Sequence, residues 1–251
     1  MEGENLLKTG VIIQTRMGST RLPGKVMLDL YGKPVICHVI ERIKQSKEID
    51  DIILATTTLA QDDVIEEQAE KNHIKCFRGS VDDVLSRYYY CAVEYKLKTV
   101  VRITSDCPLI DPFVTDSIIK CFKNNQYDIA TNASPDLKNR TYPRGLDTEV
   151  LSFDLLKNAF DNAREKYQRE HVTPYIYEKA ENIYYYKDSK DFSNYRWTLD
   201  TYEDFELIKT IYKNLYRSKH DFYYKDILTL IEKYPYISKI NESVQQKKLG
   251  M

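Results

Sequence analysis

The stretch VIIQTRMGSTRLPGKVML, residues 11–28, joins an apolar run to a loop that is rich in cations and glycine. The run has the length and composition of a buried strand, and the loop then contains Arg16, Arg21 and Lys25 among flexible residues. Glycine lets backbone N–H groups approach an anion closely, and arginine and lysine side chains bind phosphate. The pattern therefore predicts an anion site at the end of a strand; a charged surface turn is the alternative.

Short apolar runs and amphipathic segments alternate along the first half of the chain. The runs predict strands at residues 10–15, 50–58, 74–77, 99–105 and 127–132. The segments between them predict helices at residues 33–46, 61–73, 81–96 and 113–125, the last of them capped by Asp111. Such alternation predicts right-handed βαβ units, and hence an α/β fold of Rossmann-like type with a mostly parallel sheet flanked by helices.

The alternation ends at about residue 133, where turn formers precede a mixed region. Residues 133–200 are predicted to form an inserted hairpin or arm, with strands at 146–153, 182–188 and 195–199 and helices at 154–166 and 169–180. Residues 201–251 are predicted to form C-terminal helices, the first of them capped by Thr201 and Asp204. We expect one domain over residues 1–251, because no linker or repeat interrupts the chain.

Composition excludes several classes of function. Lys and Arg (37) nearly balance Asp and Glu (38), so no basic field predicts a nucleic-acid partner. Five scattered cysteines without a CxxC pair do not indicate structural zinc or a disulfide framework. No signal-like N-terminus and no apolar run of about 20 residues is present, so we expect a cytoplasmic protein with no membrane partner.

The opening loop is not a Walker A motif. Five residues separate Gly18 from Gly24, where that motif has four, and Val26 follows Lys25 where it has Ser or Thr. The spacing of residues 16–25, continued by Gly-Lys-Pro at 32–34, instead resembles the opening motif of the CTP-dependent sugar cytidylyltransferases. These include the synthetases of CMP-3-deoxy-manno-octulosonate and CMP-sialic acids, and the SpsF-type branch of spore coat polysaccharide biosynthesis is the most similar. The resemblance continues, in order, at residues 80–89, 102–112, 142–153, 169–178 and 197–208.

The resemblance implies a Rossmann-like fold of the GT-A-like kind, CMP transfer from CTP to an acidic sugar, Mg²⁺ as cofactor and a homodimer. Asp106 directly follows the predicted strand 99–105, and Asp200 lies at a predicted strand-to-helix junction, so both belong at the carboxyl edge of the sheet. Without the resemblance, Asp106 would be interpreted as a turn residue and Asp200 as an acidic residue at the start of a helix. The resemblance makes them the metal ligands. This chain departs from the octulosonate synthetases in one place: they have Gln-Gly before the first acid, where this chain has Thr104-Ser105.

The chemistry of the loop and the resemblance together give the catalytic and nucleotide-binding candidates, whereas the acceptor candidates depend on side-chain chemistry, with the resemblance supporting Arg87. The catalytic set is Arg16, Lys25, Asp106 and Asp200, and the nucleotide-binding set is Arg16, Gly18, Ser19, Thr20, Arg21, Lys25 and Thr104. The acceptor-binding candidates are Arg87, Arg144, Asp147, Glu149 and His171. For Arg87 and His171 a structural or surface role is the alternative, and for Asp147 and Glu149 a solvated strand face.

Three other functions fit parts of the pattern. A nucleotidyltransferase could use another NTP and a sugar 1-phosphate, with the metal ion in the same role. A glycosyltransferase of the GT-A type would want an Asp-x-Asp motif at a strand end, but Pro108 stands where the second acid would be. An inert nucleotide-binding module is the third, and the retained acids and cations count against it.

Overall fold

The computed structural model describes residues 8–134 and 136–246. Within them the strands are β1 (Thr9–Gln14), β2 (Asp29–Leu30), β3 (Lys33–Pro34), β4 (Asp51–Thr57), β5 (Lys75–Gly79), β6 (Thr99–Thr104), β7 (Ile129–Thr131), β8 (Glu149–Ser152) and β9 (Ile183–Tyr185). The helices are α1 (Val35–Ile43), α2 (Asp63–Lys71), α3 (Val84–Glu94), α4 (Pro112–Lys123), α5 (Phe153–Asn162), α6 (Lys166–His171), α7 (Pro174–Lys179), α8 (Tyr202–Leu215) and α9 (Tyr224–Lys233).

Seven strands form one sheet in the order β5-β4-β1-β6-β8-β7-β9. The pairs β1–β4, β1–β6, β4–β5 and β7–β9 are parallel, whereas β8 runs antiparallel to both β6 and β7. Helices pack on the sheet through apolar side chains that are almost fully buried. This confirms the predicted α/β fold, a mostly parallel sheet of Rossmann-like type.

The central pair of strands brings two loops to one edge of the sheet. Strands β1 and β6 run in register to their carboxyl ends, where Gln14 pairs with Thr104. The cation-rich loop leaves β1 at this edge, and the segment that contains Asp106 leaves β6 beside it. Asp111 then caps α4 as predicted, because its carboxylate accepts hydrogen bonds from the N–H groups of Phe113 and Val114.

Two local predictions in the second half were wrong. The expected helix over 169–180 is two short helices, α6 and α7, because Val172 has a φ of 72° and Pro174 starts the second one. The expected strand over 195–199 is reduced to one bridge between Arg144 and Arg196. Backbone hydrogen bonds from Trp197 to Arg144 and from Leu199 to Asp106 hold this segment instead. It lies over Gly145 and the loop after β6.

In residues 8–134 and 136–246, no helix is both long enough and apolar enough to cross a membrane.

Candidate active site

The loop after β1 folds back on itself and directs Lys25 toward the β6 edge. The Met17 N–H donates to Oδ1 of the buried Asp62 (2.8 Å), and the Gly24 N–H donates to the Met17 carbonyl (3.1 Å). Gly24 has a φ of 67°, a conformation that glycine adopts without strain. A 3₁₀ turn then begins at Lys25. The conformation of the loop therefore places Lys25 at the carboxyl edge of the sheet, beside the end of β6.

The backbone of Asp106 holds the segment that leads to Asp200. Its carbonyl accepts from the Leu199 N–H (2.8 Å) and from Thr198 Oγ1 (3.2 Å). Gly145 allows residues 142–147 to lie against the same segment, since a Cβ there would lie 2.5 Å from the carbonyl carbon of Trp197. Two acids far apart in sequence are thereby brought to one place.

Lys25 Nζ lies between these two acids. It donates to Asp106 Oδ2 (2.9 Å), Asp200 Oδ1 (2.9 Å) and the Leu199 carbonyl (2.7 Å). The two carboxylate oxygens are therefore no more than twice 2.9 Å apart. The Lys25 side chain is only 12% exposed. The ammonium thus occupies the space where the two acids converge.

Asp200 contacts two further cations. Its Oδ2 lies 2.8 Å from Nη2 of Arg21 and 2.8 Å from Nη2 of Arg196. Burial raises the pKa of Asp200, but Lys25 and Arg21 lower it by more, so the carboxyl is held below its usual pKa. For Lys25 the signs are reversed. Burial lowers its pKa, but the negative charges of Asp106 and Asp200 raise it by more, so its pKa lies above the usual value. Both groups are therefore charged at neutral pH.

Of the other predicted nucleotide ligands, one contacts this centre and the rest lie along the loop. Thr104 Oγ1 donates to Asp106 Oδ1 (2.5 Å), and Ser19 Oγ accepts from the Leu22 N–H (3.4 Å). Gly18, Thr20 and Arg16 are exposed on the loop. The described residues offer the Arg16 side chain no hydrogen-bond or ion-pair partner. Within the described residues the loop therefore presents an exposed, unpaired cation directly after β1.

Arg87 is buried beneath the Arg16 end of the loop. It is 1% exposed, Nη1 donates to the Ser80 carbonyl (2.9 Å), and Nε and Nη2 have no partner among the described residues. Burial lowers the pKa of Arg87, and the neighbouring charge of Arg16 adds to this lowering. The two predicted ligands thus lie close enough for their charges to repel.

The acceptor candidates divide into two groups. Arg144 is half-buried, and within the described residues its guanidinium has no hydrogen-bond or ion-pair partner; burial and the charge of Arg140 lower its pKa. Asp147, in contrast, is paired with Arg140 (2.7 Å). Glu149 is paired with Arg102 (2.5 Å) and accepts from Tyr177 OH (2.7 Å). His171 is half-buried at the end of α6. The roles of all four in substrate binding stay predictions.

Sequence reasoning missed two residues of the site, Arg196 and the helix-start Asp204 as its partner. Arg196 Nε and Nη2 both lie 3.0 Å from the Asp204 carboxylate, and Nη2 also contacts Asp200. The spacing Arg196, Asp200, Asp204 was visible in the sequence. The spacing alone could not predict that the three side chains contact one another. Residues 196–200 are not helical, and only the tertiary fold brings the three side chains together.

The donor set fits a magnesium ion in part. Asp106, just after β6, and Asp200, just before α8, supply carboxylate oxygens, the ligands that Mg²⁺ prefers. No cluster of three or more His, Cys, Asp or Glu side chains in residues 8–134 and 136–246 could hold a metal by itself. Mg²⁺ usually takes one or two carboxylates and completes its shell with phosphate oxygens and water. The two acids therefore suit an ion that arrives with a nucleotide.

Comparisons with known proteins show the family to which the chain belongs. The family described as Cytidylyltransferase matches residues 10–246. A cytidylyltransferase structure from Leptospira borgpetersenii is 36% identical, with a TM-score of 0.87 over 96% of this chain and all of that one. The synthetase of CMP:2-keto-3-deoxy-manno-octonic acid, solved with CTP, has a TM-score of 0.65 at 19% identity over 82% of this chain and 99% of that one, a likeness of fold.

Curated relatives extend along nearly the whole chain. An uncharacterised protein of Methanocaldococcus jannaschii is 38% identical over 94% of this chain and 95% of its own length. The spore coat polysaccharide biosynthesis protein SpsF of Bacillus subtilis is 32% identical over 89% of this chain and 94% of its own. The chain is therefore an enzyme of the cytidylyltransferase family.

Proposed function

We propose that this enzyme transfers CMP from CTP to a hydroxyl group of an acidic sugar, with magnesium and with release of pyrophosphate. The acceptor oxygen forms a bond to the α-phosphorus, the bond from that phosphorus to the β-phosphate oxygen breaks, and the hydroxyl proton leaves to solvent. The observation that carries the proposal is the convergence of Asp106, Asp200 and Lys25 beside the cation-rich loop. The product is an activated sugar for surface polysaccharide or glycan synthesis.

The loop cations bind the triphosphate. Arg16 has no protein partner in the described residues and is exposed, so it can reach a phosphate at once. Arg21 and Lys25 now hold Asp200 and must turn part of their hydrogen bonding to phosphate oxygens when CTP binds. Charge-assisted hydrogen bonds from these groups favour the charge that develops on the departing pyrophosphate.

The acids serve the metal. Asp106 and Asp200 would hold Mg²⁺, which neutralises charge on the α-phosphate and the leaving group when bound. Lys25 fills the space between the acids. Its movement toward the phosphates would free a carboxylate oxygen of each acid for the ion. Metal and nucleotide would therefore enter together.

Arg144 is the residue that we assign to the acceptor. A half-buried guanidinium without an anionic partner is costly, and a ligand carboxylate relieves that cost. Arg144 also pairs through its backbone with Arg196, four residues before Asp200. The charge of Arg196, which contacts Asp200, also acts on Arg144, so an acceptor carboxylate on Arg144 would lie toward the Asp200 side of the site. This supports an acidic sugar as the substrate.

The test is pyrophosphate release across a panel of nucleotides and acceptors. CTP, UTP, GTP and ATP are each combined with Mg²⁺ and with ulosonic acids, neutral ketoses of the same ring size and sugar 1-phosphates. We expect release with CTP and an acid only, and none in EDTA. Release with a sugar 1-phosphate and another nucleotide, but not with any acid, would contradict the proposal and favour the pyrophosphorylase alternative.

A further inference from the structure

The start of helix α8 contains a buried acid with more partners than a helix cap needs. Asp204 is fully buried, and its carboxylate accepts from five N–H donors. One is the Thr201 N–H (3.1 Å), the ordinary reciprocal bond of a capping box. The other donors are Arg196 Nε and Nη2 (3.0 Å each), Asn241 Nδ2 (2.7 Å) and the Asp200 N–H (2.9 Å).

These extra bonds fix Asp200 at two points. Its backbone N–H donates to Asp204 Oδ2, and its own Oδ2 accepts from Arg196 Nη2 (2.8 Å). The same Nη2 donates to Asp204 Oδ2. Because a guanidinium is a rigid planar fork, the position of Asp204 sets the position of the nitrogen that holds Asp200. The remaining oxygen, Asp200 Oδ1, then faces Lys25 and the Asp106 side.

A residue near the C-terminus supports this arrangement from behind. Asn241 is 3% exposed, and its Nδ2 donates both to Asp204 Oδ1 (2.7 Å) and to the Arg196 carbonyl (2.9 Å). A single amide thus joins the acid and the arginine that flank Asp200.

We infer that Arg196, Asp204 and Asn241 are positioning residues that aim Asp200 Oδ1 at the point shared with Asp106. The inference rests on the proposed function, since it gives Asp200 the metal. It extends the site to three residues that act through Asp200. Groups that orient a metal ligand in this way typically change metal affinity or activity by about 10- to 100-fold when removed.

The chain offers a matched control for a purely structural role. Asp226 occupies the same position in the capping box of α9, where it accepts from the Tyr223 N–H (2.8 Å). It is exposed and has no contact with the acids of the site. Asp204→Asn and Asp226→Asn therefore make the same chemical change at the same helix position, with and without the link to Asp200. Asn241→Ala removes one amide and leaves every charge in place.

The experiment measures four quantities for the wild type and these variants. They are kcat, the KM for CTP, Mn²⁺ binding in the presence of CTP by electron paramagnetic resonance, and the melting temperature without ligand. We expect Asp204→Asn and Asn241→Ala to lower kcat and Mn²⁺ affinity by about 10- to 100-fold. At saturating Mg²⁺ the KM for CTP should change by less than about threefold, since the loop cations are untouched. Asp226→Asn should change the melting temperature only.

Each outcome bears on one statement. If the wild type is active and both Asp204→Asn and Asn241→Ala keep its kcat and Mn²⁺ affinity within about twofold, the inference is overturned. Equal effects of Asp204→Asn and Asp226→Asn on kcat would also overturn it. If Asp204→Asn does not fold, the Asn241→Ala result decides. A folded wild type that binds no Mn²⁺ with CTP and releases no pyrophosphate would instead refute the proposed function itself.

Discussion

Replacing Lys25 with methionine removes the cation that separates the two acids. Methionine keeps an unbranched stem but loses the ammonium and its bonds to Asp106, Asp200 and the Leu199 carbonyl. Asp200 keeps its contacts with two arginines, whereas among the described residues the Asp106 side chain keeps only neutral donors, chiefly Thr104 Oγ1. Two carboxylates then face each other without a charge between them.

The cost follows from burial. The side chains of Lys25, Asp106 and Asp200 are 12%, 24% and 13% exposed, so the cluster is neither at the surface nor fully buried. Breaking a buried pair costs about 3–5 kcal/mol, and a surface pair contributes about 0–1 kcal/mol. We therefore expect Lys25→Met to lower the free energy of unfolding by about 3 kcal/mol when no divalent metal is present. For a chain of this length that lowers the melting temperature by about 6–12 °C.

The loss should depend on pH in a defined direction. In the folded wild type the pKa of Asp200 is lowered and that of Lys25 is raised. The lowered carboxyl contributes stability above its unfolded pKa of about 3.9, and this contribution disappears as the pH falls. The raised ammonium contributes below about 10.4 and loses its contribution as the pH rises further. The difference between wild type and variant should therefore be largest between about pH 5 and 10.

The assay compares melting temperatures in EDTA and in Mg²⁺. Without nucleotide, Mg²⁺ should barely change the wild type, whose site Lys25 already fills, and should restore part of the stability of Lys25→Met. Lys33→Met is the control, because Lys33 is 41% exposed and pairs with one acid, Glu41. It should cost at most about 1 kcal/mol. Equal stability of the two variants in EDTA, or no effect of Mg²⁺ on Lys25→Met, would refute this reasoning.

Three further outcomes are expected. Arg144→Met should raise the KM for the acidic acceptor about 10- to 100-fold in steady-state kinetics, because one or two charge-assisted hydrogen bonds are lost, and equal shifts for CTP and acceptor would contradict its assignment. Gly145→Ala should cost about 3 kcal/mol in urea denaturation, because its φ is 100° and a Cβ would overlap the Trp197 backbone; wild-type stability would argue against that packing. Burial lowers the pKa of His220 to about 3, so on acidification the unfolded state binds a proton at this histidine before the folded state does, and stability should fall below about pH 6.5. His220→Gln should make this decrease of stability with pH less steep, and an unchanged slope would exclude His220 as its source.

The parts of the fold that depend on local pattern could be predicted. The run before Arg16 became β1, the acid before Pro112 became the cap of α4, and Thr201 with Asp204 became a capping box. Each of these depends on residues within one or two turns. The alternation of strand and helix then fixes the edge at which the loops emerge. This is why the position of Asp106 beside the cation-rich loop followed from the sequence.

The second half could not be predicted as well, because its conformation depends on distant residues. Strand β8 enters the sheet antiparallel between β6 and β7, an arrangement that no local pattern specifies. Residues 195–199 alternate like a strand, yet their hydrogen bonds go to Asp106 and to the Arg144 backbone. The placement of Lys25 between two acids, 81 and 175 residues away, is likewise a product of tertiary structure.

The most direct measurement is a crystal structure with Mn²⁺ and a non-hydrolysable CTP analogue, with Mn²⁺ located by its anomalous scattering. The account predicts a Mn²⁺ peak about 2 Å from a carboxylate oxygen of Asp106 and of Asp200, with Lys25 Nζ moved onto a phosphate. A bound analogue with Lys25 still between the two acids, or with Mn²⁺ away from both, would contradict it.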